Sequence, residues 1–318
     1  MANKYGSLKE LFTAIANSIR AKTGNTDEII ADNFPEAIES IVSGGSGWDG
    51  FYFKTKDEEV EIGKNSFAHN EHLKSVKILN CNGLGDRAFY KCPNLTEARI
   101  HTIDGMRNGG VDVFRECNAL ETVTMYMDTI LPYMFCRCEN LVNANLGGTF
   151  PTGMDTTVDP PEIAEYAFAH CKKLKHIYHI NPDDGIIVSE IGEGAFCNCE
   201  SLEEISIRQC ETVGRVAFES CTALKVVDFS FIKSIGESAF YNCSSLTALI
   251  LRNPTELCVC DFSALDKTPM VTGEGHIYVP ASMYEMYRAG YEAALDQIMS
   301  GFFNILFRKI EDYPEICG

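Results

Sequence analysis

The residues in this chain best suited to chemistry are its fourteen cysteines. A thiolate can attack an electrophile or ligate zinc, and a zinc site normally draws four ligands from two closely spaced pairs. C-x-C pairs occur at Cys136/Cys138, Cys197/Cys199 and Cys258/Cys260, and Cys171, His176 and His179 form a C-x4-H-x2-H arrangement with no evident fourth ligand. Asp183 and Asp184 could face a calcium ion, yet EF-hand spacing is absent and Asn181-Pro182-Asp183-Asp184-Gly185 reads as a turn. A hydrolase would need a nucleophile with an oriented base. The seven histidines follow no triad-like motif, no glycine-rich phosphate loop is present, and the single Trp, Trp48, sits in a linker-like stretch. No catalytic residue, cofactor site or metal site is therefore assigned.

Spacing gives the cysteines a different role. Cys92, Cys117, Cys138, Cys171, Cys199, Cys221 and Cys243 each fall three residues after a phenylalanine, and Asn70 takes that slot after Phe67. Asparagine forms no disulfide and supplies no thiolate, but it does hydrogen-bond turn backbone, which a thiol does more weakly. The slot reads as a buried polar ladder, with disulfide or metal as the alternatives. Two of the C-x-C pairs already give one member to the ladder. Cys81 and Cys210 each lie three residues beyond a strand aliphatic, Ile78 and Ile207, which is another place set by a repeat.

That repeat is explicit. The segment Ile-Gly-Glu-Gly-Ala-Phe-Cys-Asn-Cys-Glu-Ser-Leu-Glu-Glu-Ile-Ser-Ile at 191–207 recurs almost unchanged at 235–251. The same frame fits Phe67, Phe89, Phe114, Phe135, Phe168, Phe196, Phe218 and Phe240, separated by 22, 25, 21, 33, 28, 22 and 22 residues. The underlying period is 22, and the longer steps carry insertions. Leu202, Ile205 and Ile207 make a short strand with aliphatics turned inward, while Ala195 and Phe196 fill the opposite wall. One such unit cannot bury its apolar face alone, so a stack of coils supplies the core.

The frame Ile-Gly-x-x-Ala-Phe-x-x-Cys-x-x-Leu-x-x-Ile-x-Ile resembles the repeat of BspA-type leucine-rich proteins over roughly residues 60 to 251. The resemblance implies a right-handed solenoid, in a family whose members are mostly adhesins or surface proteins without enzymatic activity. The fold class expected is thus a repeat solenoid, β-rich α+β: a leucine-rich-repeat stack with short helical turns, an N-terminal helix pair and a C-terminal helix-containing cap.

The flanks complete the organisation. Leu8, Leu11, Phe12, Ile15, Ala16 and Ile19 recur with helical spacing, and a second helix starts near Pro35 and buries Ala37, Ile38 and Ile41. Residues 1–43 are read as an anchoring module that docks on another chain or self-associates, 44–50 as a linker, 51–254 as an eight-coil solenoid and 255–318 as its cap. In the cap, 275–280 reads as a strand, and Ser282 as the cap of a helix carrying Met283, Met286, Tyr287, Ala294 and Ile298. The helix pair and the ending 277–313 are similar to modules of phage and prophage tail proteins of gut Firmicutes. That similarity implies a tail-associated component, made in the cytoplasm without a signal peptide and released by lysis.

Twenty-seven basic against 45 acidic side chains give a net charge of −18, which disfavours nucleic acid and anionic membranes. No apolar run suits a signal peptide or a membrane span. Function is expected on the concave strand face, where Lys77, Arg99, Thr124, Asn145, Tyr178, Ser206, Asp228 and Ile250 form one outward row. A second row runs Ser75, Glu97, Thr122, Asn143, His176, Glu204, Val226 and Ala248. Of these, Arg99, Thr124, Asn145, His176, Tyr178, Ser206 and Asp228 are the candidate partner-binding residues. The inserted loops near 101–110, 147–161 and 181–189 are a second candidate. The partner expected is a bacterial surface protein or glycan, with other particle proteins reached through the N-terminal helices and a homo-oligomer also open. The competing setting is a bacterial cell-surface adhesin.

Overall fold

The computed structural model describes residues 50–54, 61–79, 83–101, 108–126, 129–146, 162–178, 185–294 and 306–317. The anchoring helix through Leu8, Leu11, Phe12, Ile15 and Ile19, the linker up to residue 49, Cys81, His179, Asp183, Asp184 and the loop 147–161 lie outside these residues.

Two ladders of parallel strands run along the stack. The first long-strand sheet contains β1 (Gly50–Lys54), β3 (Ser75–Leu79), β5 (Glu97–His101), β7 (Thr122–Tyr126), β9 (Asn143–Asn145) and β11 (His176–Tyr178), paired in that order. Its first residue, Gly50, stands inside the stretch read as linker. The second contains β12 (Ile186–Ile187), β14 (Glu204–Arg208), β16 (Val226–Phe229), β18 (Ala248–Leu251), β20 (His276–Val279) and β21 (Phe307–Lys309). Two-residue strands form the other ladder: β2 (Glu61–Ile62), β4 (Gly83–Leu84) and β6 (Asn108–Gly109), then β8 (Thr129–Ile130), β10 (Glu162–Ile163), β13 (Glu190–Ile191), β15 (Thr212–Val213), β17 (Ser234–Ile235) and β19 (Val259–Cys260). With one long and one short strand per coil, neighbouring coils meet along two backbone seams.

Between the seams stands the aromatic wall. Consecutive rings from Phe67 to Phe240 stack at 5.1, 5.0, 5.5, 5.4, 5.4, 5.1 and 5.2 Å between centroids, with planes within 15° of parallel. That is the offset-stacked geometry favoured by ring quadrupoles. Phe89 to Phe240 in this column have no solvent exposure, and neither do the leucines six positions after them, Leu95 to Leu246. The core is therefore one continuous column rather than a set of separate clusters.

The short helical turns that carry these rings take an alternating form. Residues two before and two after each phenylalanine have left-handed backbone, from Asn65 and His69 in the first coil to Ser238 and Asn242 in the eighth. Alternate amides then point in different directions. Those of Val216, Phe218 and Ser220 donate to the next coil, at Glu237 O, Ala239 O and Tyr241 O, whereas those of Glu219 and Cys221 close turns on Val216 O and Phe218 O. The positive φ angles are what turn every second donor along the stack. Only Gly194 among these sixteen residues is a glycine, so the requirement leaves no mark in residue type.

A different glycine column does have a visible cause. A Cβ on Gly85, Gly110, Gly192, Gly214 or Gly236 would stand within 3.0 Å of backbone in the coil beneath, for Gly214 at 2.7 Å from Glu193 N. The glycine of the Ile-Gly pair is thus a close-approach residue. Leu131 and Ala164 take its place where the repeat spacing is irregular.

The stack continues past Phe240. Leu265 follows in the ring position, with Phe240 N donating to Ala264 O, and buried Thr268 takes the cysteine slot, donating to Leu265 O at 2.6 Å. β20 and β21 then extend the long ladder, so the segment read as a cap begins with a degenerate coil. Its helix α1 (Ala281–Ala294) starts one residue before Ser282. The amide of Ala281 is capped by the Glu311 carboxylate at 2.9 and 3.1 Å, which replaces the expected serine cap. Met283 and Tyr287 are buried with Tyr284 beside them, whereas Met286 is exposed.

Candidate partner-binding face

The thiols lie inside the stack. Sγ of Cys92, Cys117, Cys138, Cys171, Cys199, Cys221 and Cys243 each donates to the carbonyl of the phenylalanine one coil earlier, at 3.0–3.3 Å. Asn70 has no such carbonyl beneath it among the described residues, and its Oδ1 instead accepts from the amides of His72 and Leu73. Burial pushes the thiols of Cys117, Cys138, Cys171, Cys199 and Cys221 well above their ordinary range, which favours the neutral donor over the thiolate. Burial likewise raises Cys197 to about 11 and Cys210 to about 12. Cys171 is in the column while His176 is exposed on a strand, so these two do not converge on a metal. Among the described residues no group of three His, Cys, Asp or Glu could hold one.

The outward rows are in register. Ser75, Glu97, Thr122, Asn143 and His176 are paired strand to strand, as are Lys77, Arg99, Thr124, Asn145 and Tyr178. Glu204, Val226 and Ala248 continue one row in the second sheet, and Ser206, Asp228 and Ile250 the other. The rows are interrupted between Tyr178 and Ser206. There the insertion expected to be a loop supplies β12, which pairs Ile186 with Ile207, while Gly185, at φ 68°, lies against Ser206 with its Cβ position 2.6 Å from Ser206 O. Seven candidate residues therefore fall into two groups: Arg99, Thr124, Asn145, His176 and Tyr178 together, Ser206 and Asp228 apart.

The candidates differ in what they already contact. Arg99 pairs with Glu97 across one strand position. Asp228 receives Arg252 through three hydrogen bonds of 2.7–3.0 Å, and the same guanidinium reaches the carbonyl of Cys317. Ala248 and Ile250 are not outward-facing solvent residues. They are buried with Tyr278 and Cys317, against which Val226, Ile310 and Tyr313 pack. The C-terminal segment, 310–317, thus folds onto the end of the sheet, and the open face stops short of β18.

Sequence reasoning missed a second surface on the turn side. Tyr133 and Tyr166, at left-handed positions, stack at 5.1 Å over Cys136, Ala169 and Cys197. Arg115 stands 5.8 Å from the Tyr133 ring, and the Tyr166 hydroxyl donates to Glu193 at 2.8 Å, which pushes its pKa up to about 12. The only sequence signal was a tyrosine recurring two residues before the phenylalanine.

Stacked coils with one long strand, a leucine position and an asparagine-or-cysteine slot define a leucine-rich-repeat solenoid. The family described as BspA type Leucine rich repeat region matches in six copies over residues 52–156 and 154–265, and the chain belongs to it. The repeat is generally a non-enzymatic binding or scaffold domain. A leucine-rich repeat protein from Bacteroides ovatus is 22% identical over 61% of this chain, with a TM-score of 0.42; the chain spans 52% of that protein's length. A leucine rich cell surface protein from Faecalibacterium prausnitzii is 18% identical over 70% of this chain and 77% of its own, with a TM-score of 0.27. The T. pallidum Leucine Rich Repeat protein is 18% identical over 63% and 79%, with a TM-score of 0.36. No curated protein matches the chain.

Proposed function

We propose that this chain is a non-enzymatic attachment protein whose outer strand face holds a bacterial surface protein or glycan. The observation that carries the reading is the division of labour within each coil. Thiols that could act chemically are spent as buried backbone donors, while β3 to β11 carry two outward rows of polar side chains in register. A rigid, repeated surface of that kind is how solenoids hold partners.

Two settings follow from different features. The N-terminal segment, read from its sequence as a helix pair, and the ending resemble prophage tail modules, which supports a particle-borne tail component anchored through Leu8 to Ile19 and released by lysis. Membership of the BspA-type family supports a cell-surface adhesin instead. Immunogold electron microscopy on induced cultures separates them, because label on particles favours the first and label on intact cells the second.

The attachment reading itself is tested by retention of the purified full chain on gut-bacterial cells. Thr124→Arg places a bulky charge in the middle of the face, and it should reduce retention by about tenfold or more, equivalent to roughly 1.4 kcal/mol. Glu237→Arg, on the turn side, should leave retention unchanged. No retention by the wild type, or equal loss in both variants, rejects the reading.

A further inference from the structure

We infer that the strip formed by β7, β9 and β11 on the outer face binds a neutral saccharide, an inference that rests on the attachment reading above. Its six outward residues are Thr122, Thr124, Asn143, Asn145, His176 and Tyr178, held in register across three adjacent strands. None is Asp, Glu, Lys or Arg, in a chain with 27 basic and 45 acidic side chains. On either side the rows become charged: Lys77 and the Glu97–Arg99 pair before the strip, Glu204 and the Asp228–Arg252 pair after it. The neutral zone is thus bounded by charged side chains of both signs, most of them already paired with each other.

These boundaries select among ligands. An anionic chain would approach a protein of net charge −18 and find no cation within the strip. A cationic one would find no carboxylate there. A polypeptide is also disfavoured, because the second long-strand sheet shows what the protein uses to hold one. Where residues 310–317 fold onto β16, β18 and β20, the two rows carry Val226, Ala248, Ile250 and Tyr278, an apolar seat beside the Asp228–Arg252 pair whose guanidinium reaches the Cys317 carbonyl. At β7 to β11 that seat is replaced by amides and hydroxyls. Asn143 offers a donor and an acceptor, and each threonine hydroxyl both, which is the complement of vicinal sugar hydroxyls. Among the described residues the side chains of Thr122, Thr124, Asn143, His176 and Tyr178 make no hydrogen bond within the protein. Tyr178 adds an aromatic surface at the edge of the strip, suited to the C–H face of a pyranose.

The test applies the full chain to an array of neutral and acidic oligosaccharides, followed by titration calorimetry of the best neutral ligand. Binding is expected to neutral members only. Tyr178→Ala and Asn143→Ala should each weaken it by about tenfold or more, while Tyr178→Phe keeps most of it. Thermal melting of each variant establishes that the stack is intact, and Tyr178→Phe separates loss of the ring from loss of the fold. Binding confined to acidic saccharides overturns the inference. So does an array without signal from a chain that is retained on cells and loses that retention after the cells are treated with protease, a result that leaves the attachment reading standing with a protein partner. Failure of the wild type to be retained on any cells removes the attachment reading and this inference with it.

Discussion

Phe218 lies 5.1 Å from Phe196 and 5.2 Å from Phe240, with no exposure, and its backbone carbonyl accepts the thiol of Cys243. Truncating such a ring removes two stacking partners and leaves a cavity that rigid strands on both sides cannot close. Phe218→Ala should cost about 3–5 kcal/mol, the upper range for core aromatics. Phe67 is 5% exposed and stacks on Phe89 alone among the described rings of the column. Phe67→Ala should therefore cost less by at least the worth of one aromatic pair, roughly 0.5–1.5 kcal/mol. Urea titrations of the two variants compare them directly, and equal losses would mean that ring stacking adds nothing to area burial here.

The coil is the element, and its tightest constraint is the glycine that opens the turn. A Cβ on Gly214 would meet Glu193 N at 2.7 Å and Gly192 C at 2.8 Å, atoms of a hydrogen-bonded backbone seam that cannot swing aside. On Gly63 it would meet only Ser66 Oγ, at 3.4 Å. Gly214→Ala should destabilise by about 2 kcal/mol or more, within the range for backbone-level disruption, and Gly63→Ala by less than about 0.5 kcal/mol. Comparable melting temperatures for the two would show that the coils can slide apart. The period, the ring column and the thiol slot were readable in the sequence because each demands one residue type at one spacing. The left-handed positions were not, since Asn65, Arg87, Asp112, Tyr133 and Val216 share no chemistry and only the backbone carries the requirement. β12 was hidden because it interrupts the period that exposed the other strands. The covered end of the sheet did leave a trace, in the change from polar outward residues to Ala248 and Ile250, but naming what covers them required the packing of residues 310–317.

At the scale of the whole molecule the thiols of Cys117, Cys138, Cys171, Cys199 and Cys221 act together across five consecutive coils, so a change in their protonation is felt along the middle of the stack. Burial raises the pKa of Cys117, Cys138, Cys171, Cys199 and Cys221 in the folded protein, whereas the unfolded chain titrates near 8.5. Between those values the unfolded state has released protons that the folded state retains, so stability falls as pH rises. The stability tied to the protonated thiols is complete below about pH 8.5 and is lost above it at roughly 1.4 kcal/mol per pH unit for each thiol. Urea midpoints should accordingly stay level from about pH 7 to 8 and drop steeply by about pH 10. Cys221→Ala isolates this effect from the titration of lysines and tyrosines. It removes one of two donors to the Phe196 carbonyl, which keeps the Cys199 amide, and lowers stability by about 0.5–1.5 kcal/mol at neutral pH. It also removes one titrating group, so the gap to the wild type should narrow as the solution becomes alkaline. A gap that stays constant from pH 7 to 10 would show that the Cys221 thiol ionises equally in both states and is not held as a buried donor.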